Sequence, residues 1–364
     1  MTSLAAQEID ESVARWASLD EAQLLRELSS AGLYDGLPVV RPTPEGLAAI
    51  LAANDLAGDE AVAAIPPRDR ETSVKELALC ALVAGCMPEH LPVLRACAAA
   101  LTDPALNVRG VLTTTGSAAL VTVVSGPARK RLGFNAGANF LGPGTRANAA
   151  VGRALALLTR FVAGALPGVT DMSTMGQPAK YTCCFAENEE ESPWEPLHAE
   201  RGLAREESAV TVFAISGTIE VVNGYAQSSR DYLHSLAETL AAPFAIAPTD
   251  DPLVGGGQPI VLISPEWARA LASEGLSKRD VKASLFKRAA CPLDRLSPSM
   301  REEVLRRRRS RGEVLRAPLR AAQSADDILI VVTGGVGAKQ TVMASWNGGS
   351  YAATRAIPAP SPRL

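Results

Sequence analysis

Ser208-Ala-Val-Thr-Val-Phe-Ala-Ile-Ser-Gly-Thr-Ile-Glu-Val-Val222 is the stretch on which the fold turns. Its β-branched and aromatic residues read as two strands, Ser208–Ile215 and Thr218–Val222, around Ser216-Gly217, and Asn223-Gly224 follows as a turn. Upstream, Val108–Thr114 and Ala119–Val124 carry the same Val- and Thr-rich signature. Downstream, Ile260–Ile263 and Asp327–Val332 read as short buried strands. Helical spacing fills the gaps: Glu8–Ala31, Ser73–Ala84, Ala147–Gly164, Ser228–Ala241 and helices opened by Ser264-Pro265 and Ser277. Strands alternating with helices predict an α/β protein with a mixed sheet flanked by helices. A main catalytic domain is expected over residues 1–300, a charged helical connector over 301–324, and a small strand-containing extension with a Gly-rich loop over 325–364.

Composition removes several function classes. The formal charge of −3 and the scarcity of aromatics argue against a nucleic-acid binder, which needs phosphate-neutralising cations and stacking rings. Met1–Asp20 is acidic and lacks the features of a secretory leader, and no apolar run approaches the ~20 residues of a membrane span. Six cysteines in 364 residues form no disulfide framework. A cytoplasmic enzyme with reduced thiols is the expectation, and neither nucleic acid nor membrane is an expected partner.

The chemistry concentrates in Lys180–Arg201, where Cys183-Cys184, Glu187-Asn-Glu-Glu-Glu191, Trp194 and His198 fall within one short segment. Adjacent residues of an extended chain point to opposite faces, so one thiol of the pair faces the site and the other the core. A thiol becomes nucleophilic only when a neighbour lowers its pKa, a task that falls here to His198, Arg201 or Lys180. Crowded, partly buried carboxylates raise one another's pKa and supply an acid near neutral pH. Cys184, Glu187, Glu189 and His198 are therefore the catalytic candidates. Glu195-x-x-His198 also matches half of a carboxylate-bridged metal pair, which makes Glu189, Glu195 and His198 an alternative ligand set. Pro196 speaks against a regular helix there.

Phe134–Arg146 is a Gly-rich loop opening onto a helix whose first turn offers unpaired amides and positive partial charge. Asn135, Asn139, Arg146 and Asn148 are candidates for holding an anionic substrate there, with Asn188 and Trp194 from the central segment. Thr113–Ser117 and Thr333–Lys339 are further loops expected to gather at the site. The second of these fails both the Walker pattern and the dinucleotide fingerprint. No cofactor is required by the sequence, and a metal is compatible with it. The loop Asp250–Pro259 and the Pro-rich end Pro358–Pro362 carry no further motif.

Asp35-Gly-Leu-Pro-Val-Val40, Ala84-Gly-Cys-Met-Pro-Glu-His90, Gly142-Pro-Gly-Thr-Arg-Ala-Asn148 and Cys184-Phe-Ala-Glu-Asn-Glu-Glu-Glu-Ser-Pro-Trp-Glu-Pro-Leu-His198 resemble an uncharacterised bacterial family. That family is associated with UGSC-motif proteins, which carry a cysteine or selenocysteine and resemble the thiol subunits of glycine and proline reductases. Asp327–Ile357 is similar to the end of such proteins. The resemblance implies a subunit of a thiol-dependent enzyme, acting as a homo-oligomer or with a redox thiol or selenol partner. The Cys/selenocysteine-Gly-Ser-Cys motif is absent from this chain, so such a centre would sit on the partner. The leading expectation is a thiol-dependent enzyme doing redox or lyase chemistry on a small anionic metabolite. A metal-dependent lyase or hydrolase and a non-catalytic scaffold subunit of a redox complex are the alternatives.

Overall fold

The computed structural model describes residues 6–246 and 257–359; Met1–Ala5, most of the loop Asp250–Pro259 and the end of the Pro-rich tail lie outside the described residues. The chain is a mixed α/β structure. Its strands in order are β1 Ala61–Ile65, β2 Arg70–Ser73, β3 Ala119–Ser125, β4 Cys184–Ala186, β5 Ala209–Val222, β6 Ile260–Ile263, β7 Ala290–Cys291, β8 Leu319–Arg320, β9 Leu329–Val332, β10 Lys339–Ser345 and β11 Ala353–Ala356. β1–β2 and β7–β8 are small two-stranded ribbons. The other seven form one sheet in the order β4-β3-β5-β10-β6-β9, with β11 also on β5. β4 runs parallel to β3 and β9 parallel to β6, while the remaining pairs are antiparallel.

β5 organises this sheet because it is long enough to serve two sets of neighbours. Ala209–Ile215 pairs with β3, and Ile215–Val222 pairs with β10, with a register shift near Gly217. The expected interruption at Ser216-Gly217 is thus an irregularity within one strand, and the sheet curls about it. Side chains from both halves meet on one face: Val121, Val123, Phe185 and Phe213 from one, Ile260, Leu262, Leu329, Val331 and Met343 from the other. The opposite faces are covered by helices. Ala6–Ser18, Val74–Ala84, Leu91–Ala100 and Arg146–Phe161 contribute to one apolar layer, and Ser229–Ile246, Pro265–Ser273, Lys278–Arg288 and Pro298–Arg311 to the other.

Several local expectations change. Glu8–Ala31 divides into Ala6–Ser18 and Glu21–Ala31, because Asp20 accepts from Gln23 N in a capping box and starts a new helix. Val108–Thr113 is a helix rather than a strand: Asn107, at φ 50°, accepts from Gly110 N and satisfies the first turn despite the β-branched composition. Residues 325–359 do not stand apart, since β10 lies between β5 and β6. The charged stretch expected as a solvated connector is the helix Pro298–Arg311, which buries Val304 and Arg308.

Candidate functional site

Curling brings the two outer strands of the sheet, β4 and β9, together at their C-terminal ends. Asn188 N donates to Val332 O at 2.8 Å, and Thr333 Oγ1 donates to Ala186 O at 3.0 Å. The Gly-rich loops join this seam, with Gly334 N and Ala186 N donating to Ala136 O and Asn135 O. Three of the four loops expected to converge therefore do so. Thr113–Ser117 does not, because it lies at the opposite end of β3.

Alternation along the extended chain sorts the central segment by face. Cys184 and Ala186 pack into the helix-covered layer, whereas Phe185 enters the concave core. Glu187, continuing the alternation, sits on Phe185's side and accepts from Ser125 Oγ at 3.0 Å and Leu197 N at 2.8 Å, both through Oε2. Pro196 precedes a single helical turn, Leu197–Glu200, which carries His198 inward to the same place. His198 Nε2 lies 3.3 Å from Arg205 O; a carbonyl only accepts, so Nε2 carries the proton. Glu189 reaches in from the rim, where its Oε1 accepts from Gly126 N and lies 3.1 Å from Arg129 Nε. Gly126 is at φ +80°, and a Cβ there would collide with Glu207 O, so only glycine brings that amide so close.

One donor atom from each of Glu187, Glu189 and His198 lies within 4.8 Å of those from the other two. Glu187 and His198 are fully buried. Glu187 Oε1 and His198 Nδ1 are shielded from solvent and have no hydrogen-bond partner. Two orphaned buried acceptors in one cluster are unusual, since buried polar atoms nearly always find partners. Burial lifts the Glu187 carboxyl from its ordinary 4.5 to about 7, against the pull of Lys278 and the Leu197 amide. The other acids are compensated. Arg129 binds Glu190 through two nitrogens and holds its carboxyl down at about 2, and Glu200 is bound by Lys278 and Lys282.

The thiol expected beside these acids is elsewhere. Cys184 is buried among apolar side chains, and burial, reinforced by Cys97, Cys183 and Cys86, pushes its thiol well above the ordinary value. Its partner Cys183 packs against the concave core, with its thiol pushed up to about 12 by burial. Glu195 is exposed and does not join His198; Glu187 takes its place.

The expected substrate contacts are engaged within the protein. Asn148 accepts from Asn135 N and donates to Asn135 O and Phe140 O, so its amide fastens the Gly-rich loop. Asn135 bonds Gly137 N and Ala138 O, and Asn139 donates to Pro143 O. Arg146 donates to Gly85 O, Asn188 to Glu191, and Trp194 Nε1 to Leu276 O. Thr145 begins the helix, but its side chain makes no cap bond. Beside the seam, these loops leave a cavity of about 350 Å³ lined by Phe140, Glu220, Ser264, Thr333, Lys339 and Gln340, among others. Ser125, Gly126, Arg129 and Lys278 support the trio and were not anticipated; the Gly126-Pro127 stop and the cationic run Arg129–Arg131 were the only local signals.

Compared with known family models, characterised proteins and solved structures, the chain has no match. The resemblance to UGSC-associated proteins rests on its sequence motifs. No described helix is long and apolar enough to cross a membrane.

Proposed function

We propose that this chain is a divalent-cation-dependent enzyme of lyase or hydrolase type, acting on a small anionic metabolite, with Glu187, Glu189 and His198 as the ligand set. The observation that carries this reading is the pair of orphaned atoms, Glu187 Oε1 and His198 Nδ1, in one buried cluster with a third carboxylate. One imidazole with two carboxylates suits Zn²⁺, Mn²⁺ or Fe²⁺. Each candidate ligand is also oriented by an outer partner: His198 by Arg205 O, Glu187 by Ser125 and Leu197, Glu189 by Gly126 and Arg129. Such support is characteristic of metal-binding side chains.

A cation bound there would act as a Lewis acid toward a carbonyl or phosphoryl oxygen, or activate water. The chain's residues fix the donors, exclude water behind Glu187 and leave the Glu189 side as the least covered approach. Lys339 lines the cavity beside the seam, and its ammonium would favour an anionic substrate there. The thiol-first reading is weaker, because Cys184 and Glu187 occupy opposite faces of the sheet and nothing near Cys184 favours its thiolate.

The test is titration of chelator-stripped protein with Zn²⁺ and Mn²⁺ by calorimetry. Wild type is expected to bind one ion per chain, and His198→Ala and Glu187→Gln to bind at least about tenfold more weakly. Binding that survives both substitutions refutes the ligand set. Loaded wild type and His198→Ala, each incubated with a panel of small organic acids and followed by mass spectrometry, test turnover.

A further inference from the structure

A second cavity, of about 590 Å³, lies away from the seam, between the helix Arg146–Phe161 and the segment 165–181. From Leu120 in its wall to Ser125 beside Glu187 is roughly 17 Å along β3, at ~3.3 Å per residue. We infer that this cavity is a second binding site, taking a small amphipathic carboxylate. The inference does not depend on the cation reading.

Size places the cavity among small-molecule sites rather than packing gaps. Its walls are largely apolar, with Val111, Leu112, Leu120, Leu155, Ala156 and Pro178 among them. Apolar walls of this extent disfavour a sugar phosphate or other uniformly polar ligand, whose hydroxyls would lose water without replacement. The charged groups specify the head. Asp35 is bound by Arg153 through Nε and Nη2, both at 2.8 Å, and Asp171 is bound by Lys180. Arg160 has no carboxylate within ion-pair distance among the described residues. Its Nη2 donates to Tyr34 O at 2.9 Å. The wall therefore carries one cation without a counter-charge, which an acid head would match. Lys180 adds a second donor: its ammonium has three N–H bonds, and Asp171 and Ser173 accept from it.

The segment closing the cavity also exposes apolar side chains to solvent. Among the lining residues, Met175 is 88% exposed and Tyr181 48%. Exposed apolar groups at the mouth of an apolar cleft suit a ligand whose body extends outward from a buried head. Head at Arg160, body along Leu112, Leu120 and Leu155, and tail towards Met175 is the arrangement that satisfies every wall.

Octanoate is the probe, measured by calorimetry on the full chain alongside octanol and octylamine. One octanoate is expected to bind per chain, at least about tenfold more tightly than either analogue, because a charge-assisted hydrogen bond distinguishes them. Arg160→Gln is expected to lose at least about tenfold in octanoate affinity, Arg160→Lys to recover part of it, and Ala156→Trp to block binding by filling the cleft. The unfolding curve of each variant checks that it is folded, and the two Arg160 variants suffice should Ala156→Trp fail that check. Absence of octanoate binding at millimolar concentration, octanol binding as tightly as octanoate, or an unchanged affinity in Arg160→Gln overturns the inference.

Discussion

Replacing Glu187 by Gln is expected to remove a specific pH dependence of stability in the metal-free protein. The native carboxyl is fully buried, with Oε2 accepting two hydrogen bonds and Oε1 none. Glutamine keeps an oxygen for Ser125 and Leu197 and cannot ionise. In wild type the folded protein holds the Glu187 proton until about pH 7, whereas the unfolded chain releases it from about 4.5. The folded state therefore binds more protons across that window, and stability falls as pH rises through it, remaining level on either side. At ~1.36 kcal/mol per pH unit, the interval amounts to ~3 kcal/mol. Urea unfolding of both proteins in excess chelator at pH 5, 6, 7 and 8 gives the double difference, which cancels every other titrating group. Glu187→Gln should gain ~2.5 kcal/mol on wild type between pH 5 and pH 8, whatever its fixed offset. Parallel stability curves would refute the assignment. Saturating Zn²⁺ should restore wild type at pH 8, by ~2.7 kcal/mol at a hundredfold excess over Kd.

Two further outcomes follow from the same geometry. Iodoacetamide at pH 8 should leave Cys184 and Cys97 unlabelled in the native protein and modify both in urea, since burial holds both thiols in the protonated form; native labelling at Cys184, read by peptide mass, would sink that reading. Asp35→Asn should lower unfolding stability by about 3–5 kcal/mol, because it leaves the largely buried Arg153 guanidinium without its counter-charge, and a loss below about 1 kcal/mol would count against it.

Most strands of the central sheet were legible because β-branched residues cluster in them and turn residues bound them. β3, β6 and β9 fall where composition places them. Val108–Thr113 was not legible from composition, since one capping side chain, Asn107, outweighed several β-formers. Nor was the curl. It arises because β5 is shared by two half-sheets, and no local pattern records which strands pair with which end of it. The same is true of β10, whose central position depends on β6, roughly 80 residues earlier, and on β5, more than a hundred residues earlier.

The candidate cluster was legible where its groups share one segment, and less so where spacing had to decide orientation. Glu187, Glu189 and His198 lie within twelve residues, so their convergence needed only an extended chain and a turn. Cys184 and Glu187 are three apart, an odd number, and the period of two puts them on opposite faces. The alternation that separates Cys183 from Cys184 also separates Cys184 from Glu187, three residues on. Glu195 was favoured by helical spacing to His198, yet Pro196 leaves only one helical turn, after it, and so frees Glu195 to solvent. The asparagines show a different limit: short amides readily bond nearby backbone, and Asn135, Asn139 and Asn148 all do so within the Gly-rich loop.

What singles out the trio is the contrast with its surroundings. Around the seam, Glu189, Glu190 and Glu200 each meet a cation at hydrogen-bonding distance. Glu187 alone is fully buried without one in contact, next to an imidazole nitrogen that is equally unmatched. An apolar residue of similar size would remove that desolvation cost, as it does for many buried charges. A buried acid and a buried base held apart, each fixed by its own outer partner, depart from the rule the rest of the seam obeys, and such departures concentrate at functional sites. A cation between them would satisfy both at once, which puts these two atoms, rather than the thiols, at the centre of the proposed chemistry.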